Sequence, residues 1–197
     1  MNELKEMRAV LYDFLKDEMA KNEKIVVIDA DLGKANGTHA LRNIYPDRAI
    51  DVGVAEQNMA SIAAGMASYG YIPFISSFTP FATRRICDQI AISICYANMN
   101  VKIIGTDPGI SAEFNGGTHM SLEDIGVLRS IPNLVIYEPV DATQLYKSLP
   151  KILEYKGVNI SQEGVDVLSG VDFSLEQGEF VYLCGKVGSG KSSLLKT

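Results

Sequence analysis

Between the N-terminus and about residue 150, short β-branched runs alternate with stretches whose apolar residues recur every three or four positions. The run IVVID at 25–29 is apolar up to its final aspartate. Such a strand must be covered on both faces, as strands of a parallel sheet are. Ahead of it, Leu4, Met7, Leu11 and Phe14 form a stripe that Leu15 and Met19 widen, so residues 3–20 read as an amphipathic helix. The pattern then repeats as a helix from about Glu56 to Tyr69 ended by Gly70, the run YIPFIS, a helix through RRICDQIAISICYA, and the strand VKIIG. Ser121 with Asp124 predicts a capped start for LEDIGVLRS and Pro132 its end. LVIYEP reads as a further strand, and Asp141 with Gln144 as a capping pair for ATQLYKSL. The fold class is therefore α/β with a mostly parallel sheet, and its ligands are expected beyond the carboxyl ends of the strands.

Apolar residues make up 47% of the 197 positions and charged residues 21%, a globular composition. A net charge of −6 with no Lys/Arg-rich run speaks against nucleic acid as a partner. The first twenty residues lack the apolar core of a signal peptide, and no later segment reads as a membrane helix, so a cytoplasmic protein without direct membrane insertion is expected. Cys87, Cys95 and Cys184 have no metal-site spacing and read as buried free thiols.

After about Leu153 the rhythm changes. EYKGVNIS, DVLSGVDFSLEQG and EFVYLCG read as short strands joined by Gly-bearing turns, so the chain divides into residues 1–152 and a β-rich fragment, 153–197, ending in a P-loop. Gly185, Gly190, Lys191 and Ser192 fit G-x-x-x-x-G-K-[ST], with Gly188 inside the loop and Ser193 following it. In that pattern the glycines turn backbone N–H groups toward phosphate oxygens, the lysine reaches the outer phosphates, and the serine hydroxyl ligates Mg2+. The bland reading is a Gly-rich turn with a surface lysine.

Residues 1–152 resemble the transketolase pyrimidine-binding domain, in particular that of the separate small subunit of split transketolases. DADL, YPDRAIDVGVAEQN, FTPFATR, GGTHMSLEDIGVLRSIPNL and EPVD carry the resemblance. It implies thiamine diphosphate as cofactor and two-carbon ketol transfer between sugar phosphates as the reaction. It also implies that Glu56 holds the ring nitrogen of the aminopyrimidine, that Phe78 and Phe81 enclose that ring, and that His119 contacts the sugar. Taken without the resemblance, Glu56 is an ordinary acid at a helix N-terminus, the two phenylalanines are core residues, and His119 is structural. Arg84 is left without a role and His39 is read as a surface residue. Asn115 and Gly37 stand where related chains have an aspartate and a serine.

Transketolases hold the diphosphate and its Mg2+ through a GDG motif, and none occurs in these residues. The resemblance therefore implies a diphosphate-binding partner subunit, a heterotetramer, and a chain inactive alone. Residues 153–197 resemble the opening of an ABC-type ATPase of the cell-division kind, with ATP as ligand of the tail. Gln162 falls where that family places an adenine-stacking aromatic residue. The acidic strand and signature motif are absent, so no ATP hydrolysis by the tail is expected. Two rivals stand beside the transketolase reading: an ATP-binding module of a transport or cell-division complex, and a non-catalytic chimeric product.

Overall fold

The computed structural model describes residues 6–156. Helix α1, Met7–Lys21, turns Val10, Leu11, Leu15 and Met19 inward; of the expected stripe Leu11, Leu15 and Met19 are buried, Phe14 is half-buried and Met7 exposed, while Leu4 lies outside the described residues. Strand β1, Ile25–Asp29, is buried at every position. The chain continues through α2 (Gly33–Asn36), α3 (Leu41–Ile44), β2 (Ala49–Asp51), α4 (Glu56–Ser68), β3 (Ile72–Phe78), α5 (Thr79–Ala82) and β4 (Lys102–Thr106), then α6 (Asp124–Leu128) and α7 (Ala142–Glu154). The four strands pair in parallel in the order β2-β1-β3-β4.

Period-two alternation explains the two cores. On one face, Ile25, Val27 and Phe74 pack with Val10, Leu11, Leu15 and Met19 of α1 and Leu149 of α7. On the other, Ile28 and Ile75 pack with Met59, Ala60 and Ala63 of α4. Small side chains along α4 let that helix lie close to the sheet. Each fully buried side chain such as Leu15 or Phe74 stabilises the fold by about 1.5–3 kcal/mol.

Three local expectations change. RRICDQIAISICYA is not a plain α-helix: it opens with a 3-10 turn, Arg84–Ile86, and widens into π-helix over Gln89–Tyr96. The wider winding brings Ile90 and Cys95, five residues apart, onto one buried face. Ser121 caps no helix. It pairs with Gly109 through backbone bonds, and α6 begins at Asp124 with no side-chain cap and ends at Leu128, short of Pro132. LVIYEP forms no ladder among the described residues. Leu134 and Ile136 pack on the core while Val135 and Tyr137 are 57% and 42% exposed. One buried face accounts for the apolar pattern without strand pairing.

The capping pair forms as expected. Asp141 Oδ1 accepts the Gln144 N–H at 2.7 Å, and Gln144 Oε1 accepts the Val140 N–H at 2.7 Å. Of the three thiols, Cys95 is buried and Cys87 only half-buried, while Cys184 lies outside the described residues. Burial pushes the Cys95 thiol up to about 11.

Candidate active site

The register of the sheet assembles the site. Asp29 at the end of β1 lies beside Asp51 of β2 and Ser76 of β3, and Phe78 at the end of β3 lies beside Thr106 of β4. From Asp51 the chain turns into α4. Asp51 Oδ1 accepts the N–H groups of Asp31 and Gly53, each at 2.9 Å. Both donors have positive φ, 65° and 73°, a conformation that glycine adopts without a Cβ clash and aspartate tolerates. Burial opposes ionisation of Asp51, but these two N–H groups and the Arg42 guanidinium outweigh it and hold the carboxyl below its usual value.

Glu56 is the first residue of α4 and only 4% exposed. A first-turn acid is favoured by the helix dipole, but that alone does not offset burying a carboxylate. The missing compensation comes from Arg85, whose Nη1 donates to Glu56 Oε1 at 2.7 Å. The same guanidinium lies over Phe81, with Cζ 3.8 Å from the ring centroid. Phe78 and Phe81 are both buried, their centroids 6.4 Å apart. His119, half-buried, meets both rings edge-on at 5.9 and 5.1 Å. Its Nδ1 stands 2.9 Å from Thr118 Oγ1. An open pocket of 390 Å³ lies against Glu56, lined by Val54, Ala55, Gln57, Asn58 and Arg85.

Of the residues expected from the resemblance, Phe78, Phe81 and His119 touch one another, and Glu56 joins them only through Arg85. Arg84 turns the other way and pairs with Glu123, and His39 is exposed. Gly185, Gly188, Gly190, Lys191, Ser192 and Ser193, together with Gln162, lie outside the described residues.

Two features were not anticipated. The first is Arg85, whose signal was the second of the two arginines after FTPFAT. The second is a buried polar net beneath the site. Asp29, 2% exposed, accepts from Ser76 Oγ at 2.5 Å and Thr38 Oγ1 at 2.7 Å. Asn36 donates to Ser76 Oγ at 3.1 Å and accepts from Thr106 Oγ1 at 2.8 Å. Arg42 lies 3.7 Å from Asp29 and 2.8 Å from Asp51. The signal of the net was Ser76, a serine inside the apolar run of β3, since a buried hydroxyl calls for a partner.

Residues 4–161 match the family model of the transketolase pyrimidine-binding domain. The chain belongs to that family. Among transketolase relatives, it is 51% identical over 151 residues to the 6-deoxy-6-sulfo-D-fructose transketolase subunit SqwH of Clostridium sp. (strain MSTE9), covering 77% of this chain and 47% of the relative. It is 42% identical over 137 residues to a putative transketolase C-terminal section of Methanocaldococcus jannaschii, covering 70% and 43%. A solved split gene transketolase, described as an inactive beta4 tetramer, superposes with a TM-score of 0.67 at 38% identity, covering 77% of this chain and 48% of that one. The chain spans about half the length of these relatives. The α/β fold with its four-stranded parallel sheet is that of the transketolase pyrimidine-binding domain.

The family implies thiamine diphosphate, and the residues present fit its aminopyrimidine. Arg85 already makes the contacts such a ring needs: a planar, N–H-bearing group stacked on Phe81 and donating to Glu56. Among the described residues no three His, Cys, Asp or Glu side chains cluster to hold a metal, and no helix is long and apolar enough to cross a membrane.

Proposed function

We propose that this chain supplies the pyrimidine half of a split, thiamine diphosphate-dependent transketolase and is inactive without a diphosphate-binding partner subunit, with which it forms a heterotetramer in the cytoplasm. The observation that carries the reading is a buried Glu56 carboxylate at the pocket, joined through the Arg85 guanidinium to Phe81, whose ring His119 meets edge-on. When bound, thiamine diphosphate supplies the nucleophilic carbon on which a two-carbon ketol unit passes between sugar phosphates. The work of this chain is positional and protonic. Glu56 shares a proton with the ring nitrogen of the aminopyrimidine. Phe78 and Phe81 enclose the ring and exclude water from it. His119 stands at the mouth, where a sugar hydroxyl arrives. Mg2+ belongs mainly to the partner.

The reading extends to the division of the chain. Residues 1–152 form the pyrimidine-binding domain, and residues 153–197 open an ABC-type ATP-binding domain. The support for the second part is the motif through Gly185, Gly188, Gly190, Lys191, Ser192 and Ser193, in which Ser192 holds the Mg2+-ligating position of the pattern. Its test is ATP binding to the full chain, which Lys191→Ala abolishes.

For the main reading, the chain is mixed with a subunit carrying a GDG motif, and ketol transfer is followed from a ketose phosphate and from 6-deoxy-6-sulfo-D-fructose. The sulfosugar is included because the name of the 51% identical relative carries it. Transfer with wild type and its loss with Glu56→Ala is the expected result. Equal rates for the two chains refute the reading.

A further inference from the structure

We infer that Arg85 is a built-in stand-in for the pyrimidine ring, one that occupies the ring's subsite in the free chain and must leave before the cofactor enters. The inference rests on the reading of Glu56 and Phe81 given above and adds to it a control on when the subsite opens.

The geometry separates this role from simple support of Glu56. An arginine whose only task was to orient the carboxylate would approach it and leave the aromatic face free. Arg85 does both things at once: Nη1 donates to Glu56 Oε1 at 2.7 Å, and Cζ sits 3.8 Å above the centre of Phe81. That second distance is a stacking distance, so a heteroaromatic ring and the guanidinium cannot share this face of Phe81. The two groups also compete for one partner, because the guanidinium donates to the Glu56 carboxylate and the ring nitrogen of an aminopyrimidine would share a proton with that same carboxyl group.

Arg85 is suited to leaving. Its side chain is 43% exposed, whereas Glu56 and Phe81 are buried. Only the arginine end of the pair reaches water, and the long aliphatic stem lets the head swing into it without moving the backbone. The latch also answers a structural need. A buried carboxylate without a partner is costly, and the guanidinium satisfies Glu56 until a ring replaces it. The arginine follows directly on Arg84, which is tied to Glu123 in the loop that carries His119. The swing therefore pivots on a segment tied through Arg84 to Glu123.

The test uses the full chain and 4-amino-5-hydroxymethyl-2-methylpyrimidine, the ring fragment without diphosphate, so no partner subunit is required. Binding is followed by NMR, with the Arg85 Nε–H resonance reporting the position of the guanidinium. Arg85→Met should bind the fragment about tenfold more tightly than wild type, the gain expected from removing one stacked, hydrogen-bonded competitor. In the wild-type chain the Arg85 resonance should move from its ring-shielded position to that of a solvent-exposed arginine as the fragment saturates. Equal or weaker binding by Arg85→Met, or an Arg85 resonance that stays in place at saturation, overturns the inference. Glu56→Gln separates the two levels. If it weakens fragment binding while Arg85→Met fails to strengthen it, the latch alone is wrong. If Glu56→Gln binds the fragment as wild type does, the reading of the subsite falls and the latch with it.

Discussion

The Arg42 guanidinium holds the Asp51 carboxylate at 2.8 Å, and Asp51 in turn gathers the N–H groups of Asp31 and Gly53. An ion pair at the end of β2 thereby shapes the turn that delivers Glu56 to the pocket. Burial works against ionised Asp51, but its two N–H donors and Arg42 prevail, so its folded-state value lies below the unfolded one. Such a group contributes stability that is fully present above the unfolded value and is lost as pH falls through the folded one. Asp51→Asn is expected to cost about 1 kcal/mol at pH 7. In urea titrations the gap between the two proteins should close as pH drops below about 4. A gap unchanged from pH 7 to pH 3 contradicts the assignment.

Removing the carboxyl group at position 56 tests the chemistry. With partner subunit and thiamine diphosphate present, Glu56→Ala should lower ketol transfer about 100-fold or more, the scale of losing one acid/base group. Circular dichroism should match wild type, since Glu56 sits at a helix end and leaves no ladder bond unmade.

The Asp29 net is expected to govern stability. Asp29→Ala strips a buried acceptor from both Ser76 and Thr38. At roughly 1–3 kcal/mol for each buried hydroxyl left unpaired, the midpoint of urea unfolding should fall by an amount equivalent to about 3 kcal/mol. Asp29→Asn keeps an acceptor and should recover part of that loss.

Lys102 offers a pH dependence of the opposite sense. It is a buried lysine at the start of β4 whose ammonium donates to the Tyr155 carbonyl, and burial lowers its value to about 8. The unfolded chain then holds this proton more tightly than the folded one, so stability should rise as pH climbs from about 8 toward the unfolded lysine value near 10.4. Lys102→Met is expected to be about 1 kcal/mol more stable than wild type at pH 7. That advantage should vanish by about pH 10.5 in guanidinium titrations, and an advantage that persists there argues against a charged lysine in the fold.

Much of the architecture follows from local rules. IVVID had to be a covered strand because both of its faces are apolar, and Ile25 with Val27 and Ile28 do pack on opposite layers. Asp141 and Gln144 cap α7 because the partners lie three residues apart on one turn. Local rules failed where two structures satisfy one pattern. LVIYEP buries Leu134 and Ile136 without joining the sheet, and the 84–97 segment buries the same apolar residues by widening its helix.

The amino-acid order alone carried the layers and the parallel sheet, because periodicity is a property of neighbouring positions, whereas Glu56, Phe78, Phe81 and His119 were singled out by the family resemblance and not by any local pattern. Which charge meets which was settled only by folding. Arg85 lies 29 positions from Glu56, and Ser76 lies 47 from Asp29. Those pairs come together through strand register and helix placement. The force between their atoms depends on distance in space, and no local pattern along the chain records it.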